Sequence, residues 1–229
     1  MKVRYSILAD ASGSLGGLVA SHNRGGQYLR GRVVPTNPSS GPQVEMRTIF
    51  GNLASAWQTL TLAQREAWTT YAINVPITDS MGDPLTLTGQ QMYVRNNSAR
   101  IQAGLARVDD GPVIFSLDSL SPVSIVPSAA ADNYSVTFVD TDAWVPEVGA
   151  GLLIYGSREL ADTINFFKGP YRFQGIIIGA VVPPTSPDTS ITSLFALTED
   201  NVIFNRALSV RADGRISATQ LIGPNVIAA

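Results

Sequence analysis

TGQQMYVRNNSARIQAGLARVDDGP, residues 88–112, is where the chain changes character. Thr88-Gly89-Gln90-Gln91 has the form of a capping box, in which a threonine hydroxyl and a glutamine side chain satisfy each other's free backbone N–H groups at a helix start. Met92, Val94, Ile101 and Leu105 then carry an apolar stripe, while Arg95, Asn96, Asn97 and Arg100 fall on the other face, which is expected to be solvated. The helical period stops at Asp109-Asp110-Gly111-Pro112, a cluster of turn residues that predicts a domain boundary.

Upstream of this stretch the pattern stays helical. From Pro42 the residues Met46, Ile49, Phe50, Leu53 and Trp57 recur at helical spacing, with Glu45, Arg47 and Asn52 elsewhere. Thr61-Leu62-Ala63-Gln64 is another capping box, and Ala67, Trp68 and Tyr71 continue its apolar face. Two helices joined by a few residues form an αα-hairpin, whose core should hold Trp57 and Trp68. Residues 74–88 read as a loop, with turn signals at Gly82-Asp83-Pro84.

Downstream of Pro112 the sequence reads as β. Short apolar runs occur at 123–126, 134–139, 152–155, 171–182, 194–197 and 207–211, with a last one at 218–222. Separators rich in Pro, Asp, Gly and Ser divide them. About seven strands over about 110 residues, without cysteine, is the pattern of an immunoglobulin- or fibronectin-like sandwich. Asp213-Gly214 within Val210–Ser217 is a hairpin signal that should pair the last two strands.

The opposite end of the chain is unlike either part. Residues 10–38, DASGSLGGLVASHNRGGQYLRGRVVPTNP, hold six glycines, three arginines and the only histidine. Leu15–Ala20 and Gln27–Val34 predict two strands, joined by turn chemistry at His22-Asn23-Arg24-Gly25-Gly26. An isolated hairpin is marginal in water, so this one should need a further sheet or another subunit. The expected organisation is therefore α+β: a hairpin arm over 1–41, a helical domain over 42–111 and a β-sandwich over 112–229. Val3–Leu8 has strand composition as well.

Charged residues make up 15% of the chain, against about 25% in an average soluble domain. Such a surface suits either burial in an assembly or a Ser/Thr-rich β protein. Fourteen of the sixteen basic residues are arginine, which favours interfaces because the planar guanidinium binds carboxylates bidentately. Residues 1–111 hold ten basic and seven acidic groups, +3; residues 112–229 hold six and eleven, −5. This split favours head-to-tail contacts between neighbours. The net charge of −2 does not indicate nucleic-acid binding.

Catalytic chemistry finds little support. Without cysteine there is no thiol nucleophile or zinc–thiolate site, and His22, beside Ser21, lies in a glycine-rich turn that could not hold a base in place. Asp140 and Asp142 lack a calcium-loop pattern and read as a solvated loop. Gly13-Ser14-Leu15-Gly16-Gly17 lacks the ending of a phosphate loop. No catalytic residue, metal site or cofactor is expected, and no small-molecule ligand. The short apolar run at MKVRYSIL does not make a signal peptide, and no stretch predicts a membrane span. The residues expected to act are those of a protein interface: Arg24, Tyr28, Arg30 and Arg32, with Gly16, Gly17, Gly25 and Gly26 where a neighbour's backbone approaches.

Several phrases occur in a familiar order: NRGGQYLRGRVVPTNP, QREAW, GDPLTLTGQQMYVRNN, GPYRFQG and VRADGRIS. Together they resemble a loosely defined family of tailed-bacteriophage and prophage proteins. The resemblance implies a virion structural role, with an N-terminal arm-plus-helix part and a fibronectin-like C-terminal domain, and no enzyme activity. The expected function is a capsid decoration or cement protein, made in the host cytoplasm and located on the virion. Its expected partners are capsid or other virion proteins in a homo-oligomer or symmetric assembly, with no nucleic acid and no membrane. A tail, neck or baseplate component is the alternative within that class. Outside it stands a carbohydrate- or cell-surface-binding module, with Trp144 as the stacking residue.

Overall fold

A computed structural model of the chain describes residues 12–23, 26–78 and 84–229. The described residues form a mixed α+β protein with three helices and four sheets. The chain divides into two compact units, residues 1–43 and 44–229. The run Val3–Leu8 lies outside the described residues.

In the first unit, β1 (Gly13–Leu15), β2 (Leu18–Asn23) and β3 (Gly26–Gly31) form a three-stranded antiparallel sheet in the order β1-β2-β3. Sequence reading had the right location and one strand too few. Leu15 pairs with Leu18 across Gly16-Gly17, and Gly16 turns with φ 57°, a conformation that glycine takes without steric cost. β2 and β3 stay paired as far as Asn23 opposite Gly26, so His22 and Asn23 belong to a strand and not to the turn. Val33 and Val34, expected to continue the strand, lie beyond it and are 82% and 77% exposed.

The second unit begins with α1 (Gly41–Thr59), α2 (Leu62–Asn74) and α3 (Gly89–Gln102). Both expected capping boxes form: Thr61 with Gln64, and Thr88 with Gln91. Between α2 and α3 a short ribbon pairs β4 (Ile77–Thr78) with β5 (Pro84–Leu85) inside the stretch read as loop. The helical core closes around Trp68, whose ring meets Tyr71 and Tyr93 edge-on at 6.0 and 5.5 Å, while Trp57 lies 5.5 Å from Tyr93. Phe50, read as a core residue, is instead 45% exposed.

The β part has two sheets. β6 (Ser124–Ser128), β7 (Asn133–Thr137) and β10 (Asp188–Thr192) form one, in the order β10-β7-β6. β8 (Gly151–Gly156), β9 (Arg172–Ile178), β11 (Val202–Val210) and β12 (Gln220–Val226) form the other, in the order β12-β11-β8-β9. Both contribute to one apolar cluster that includes Ile125, Tyr134, Val136, Leu152, Ile154, Ile177, Ile191 and Ile203. The strand expected at 194–197 is a loop, with Leu194 62% exposed. The strand in that region is the polar Asp188–Thr192, in which only Ile191 is buried. One inward apolar residue leaves no period-2 pattern to detect.

The boundary expected at 109–112 does not separate compact units. The physical reason is that this segment is stitched to the helices. Trp68 Nε1 donates to Asp109 O at 2.9 Å, Gln64 to Asp110 Oδ1 at 3.0 Å, and Tyr93 Oη to Asp109 Oδ1 at 3.1 Å. Burial pushes the Tyr93 hydroxyl up to about 12, which keeps it a donor. Gly111 serves close packing here: a Cβ would stand 2.6 Å from the backbone of Ala67 and Trp68.

The polar face of α3 also departs from expectation, since Asn96, Asn97 and Arg100 are buried rather than solvated. Each has found backbone groups to satisfy it. Asn97 accepts from Val108 N at 2.7 Å and donates to Val108 O and Tyr93 O. Asn96 donates to Gly214 O at 2.9 Å, at the tip of the β11–β12 hairpin. Arg100 donates to Ala106 O, Gly149 O and Arg211 O. Around these bonds Ala99, Ala103 and Leu105 pack against Leu153, Val210 and Ile216, so α3 lies on the sheet.

Candidate interaction surface

The arm sheet has two faces and no core. Cross-strand register sets Ser14, Val19, Ser21, Tyr28 and Arg30 on one side, and Leu18, Ala20 and Leu29 on the other. No side chain described in residues 12–43 is buried, and Leu18 is 52% exposed. The strands are held by backbone hydrogen bonds, extended by Arg32 N to Gly17 O at 2.8 Å. Among the described residues β1 and β3 are edges, each with a row of N–H and C=O groups that no described strand pairs.

Arg30 and Arg32 are exposed, and among the described residues no carboxylate lies within 4 Å of either. Composition explains this: from Ala11 to Val44 there is no Asp or Glu. Tyr28 is half-buried on the Arg30 face. Gly16 and Gly17 turn the chain at one end of the β2–β3 ladder, and Gly26 opens β3 at the other. The expected interface residues therefore share a sheet without forming one cluster. Arg24 and Gly25 lie outside the described residues.

The carboxylates of the β part divide by location. Where the β part meets α3, most are held internally, and Asp140 stands exposed. Arg211 bridges Asp118 at 2.8 Å and also Glu147. Ser209 Oγ donates to the same Asp118 at 2.5 Å, and Arg215 pairs with Asp213 at 2.7 Å. Asp142, one of the pair weighed as a calcium loop, accepts from Ser121 N and Oγ and so ties two loops together.

At the opposite end of the strands, three loops meet: 129–132, 157–171 and 193–201. Ser193 N and Leu197 N donate to Asp132, Thr198 N donates to Glu159 Oε2 at 2.8 Å, and Leu160 pairs with Val202. The Arg158 guanidinium stacks on Phe195 at 5.0 Å. Hydrogen bonding from the Thr198 side chain, more than from its N–H, holds the Glu159 carboxyl below the usual glutamate value. Asp162, Glu199 and Asp200 are exposed, with no cation within 4 Å among the described residues. Ile164, Phe166 and Leu194 stand exposed in the same loops, Phe166 at 77%. In the sequence Leu194 reads as part of a strand and the others as separators between strands. The available signal was the acid-free stretch 11–44, whose arginines have no carboxylate nearby in the sequence.

Trp144, the stacking residue of the carbohydrate reading, is fully buried, its ring 5.0 Å from Phe138. That surface is therefore not available to a sugar. Among the described residues no helix is long and apolar enough to cross a membrane. Compared with protein-family models, curated proteins and solved structures, the chain matches none of them.

Proposed function

We propose that the protein is a bacteriophage virion structural protein, most specifically a capsid decoration or cement protein that works by protein–protein association. The observation that carries this reading is the arm: among the described residues it is a paired sheet with open edges, no buried side chain and two arginines with no carboxylate within 4 Å. A sheet of this kind gains order when a neighbour adds a strand to its edge or covers its face. Repetition by capsid symmetry turns weak single contacts into avidity.

For residues 112–229 we propose an immunoglobulin/fibronectin-like sandwich as the displayed part. Its support is strand order. Naming the seven strands A, B, C, C′, E, F and G gives sheets E-B-A and G-F-C-C′. The immunoglobulin constant arrangement has A, B, E and D facing C, F and G, so here the fourth strand pairs with C instead of E.

Copy number in purified particles tests the function. A cement protein is present on the order of hundreds of copies, and a tail, neck or baseplate ring in about a dozen or fewer. Absence from particles would overturn both.

A further inference from the structure

We infer that the arm of one copy docks on the far loop end of the next, with Arg30 and Arg32 meeting Asp162, Glu199 and Asp200. This deepens the association reading by naming a partner, a second copy of this chain, and rests on that reading only for its biological setting.

Three observations converge on it. The described part of the arm carries cations and no acidic residue, since none lies between Asp10 and Glu45. Of the carboxylates near α3, Asp118, Glu147, Asp142 and Asp213 are held by Arg211, Ser121 and Arg215, and Asp140 stands exposed. The far loops present three exposed carboxylates, Asp162, Glu199 and Asp200, with no cation among the described residues. Both surfaces also carry apolar side chains beside their charges: half-buried Val19 and Tyr28 on the Arg30 face of the arm, and exposed Ile164, Phe166 and Leu194 on the loops. Arginine suits such a contact because it gives up less hydration than lysine and forks onto a carboxylate. Arg158, Lys168 and, at the start of β9, Arg172 lie at the same end, and Arg158 is already stacked on Phe195.

The geometry has a consequence for assembly. Arm and loop end are different surfaces, so the contact is heterologous, and copies join head to tail into rings or open filaments rather than closed twofold dimers.

Sedimentation velocity on the purified full chain, at low salt and up to about 1 mM, tests the inference without any particle. The wild type should show concentration-dependent oligomers that salt dissolves. Arg30→Glu with Arg32→Glu should weaken association about tenfold or more, and Glu199→Arg with Asp200→Arg should do the same. All four changes together should restore it. All these residues are exposed, so an unchanged unfolding midpoint checks that each variant is folded. A wild type that stays monomeric, oligomers that survive either reversal, or a fourfold variant that remains monomeric would overturn the contact. Absence from particles combined with restored pairing would sink the virion reading alone, and presence in particles without pairing would sink this contact alone.

Discussion

Arginine has opposite roles in the two units. In residues 44–229, Arg100 is 3% exposed and donates to three backbone carbonyls, and Arg211 bridges two carboxylates. In the arm, Arg30 and Arg32 stand in solvent on a sheet with no core. Burial of a charge is tolerated only when its hydrogen bonds are met, so the first set is structural and its loss should unfold the protein. The second set contributes little to stability, as exposed charges generally do, which leaves it free for a partner. Side-chain type alone does not separate the two; the supply of nearby acceptors does.

The largest effect should come from Trp68→Ala. This residue is fully buried against Tyr71 and Tyr93 and beneath Gly214, so its truncation should cost roughly 3–5 kcal/mol in chemical denaturation. Arg211→Met follows, at about 3 kcal/mol, because Asp118 would remain buried without its cation. Equilibrium unfolding that moved by under about 0.5 kcal/mol would show the network to be ornamental. Gly111→Ala should cost about 1–3 kcal/mol, since the new methyl meets the α2 backbone. If it stabilised the protein, the close approach would be mistaken.

The smallest effect concerns pH. Glu159 has a depressed pKa in the folded protein, chiefly through Thr198. Its contribution is thus present above the ordinary glutamate pKa and disappears as pH falls through the lower folded value. Thr198→Val should move the Glu159 titration, followed by carboxyl NMR, back up toward the ordinary value. An unmoved titration would place the cause elsewhere.

Much of the local structure was legible before the fold was known. Capping boxes at Thr61 and Thr88 and the Asp213-Gly214 turn are short-range chemistry, so a few residues suffice to declare them. The hidden parts were those decided at long range. Asn96, Asn97 and Arg100 look like a solvated face until the partners 11 to 118 residues away arrive. Gly111 looks like a turn marker until α2 is placed against it. The strand Asp188–Thr192 is polar because most of its side chains face solvent. For the interaction surface, the arm was identifiable by its glycines and arginines. Its proposed counterpart was not, because the loops that carry Asp162, Glu199 and Asp200 are tied together by long-range bonds of Glu159 with Thr198 and of Asp132 with Leu197.

The joining of helices and sheets into one unit can also be read directly. Trp68 and Trp144 report on different cores, so in each variant that keeps one of them, with phenylalanine at the other two tryptophan positions, the fluorescence transition should coincide with the far-UV circular dichroism transition. Two separated transitions would restore a boundary near Gly111.

The claim that the arm serves association while residues 44–229 fold without it is tested most directly by deleting residues 1–38. The account predicts an unchanged unfolding midpoint together with loss of the protein from assembled particles. Full occupancy by the truncated chain, or its failure to fold, would contradict it.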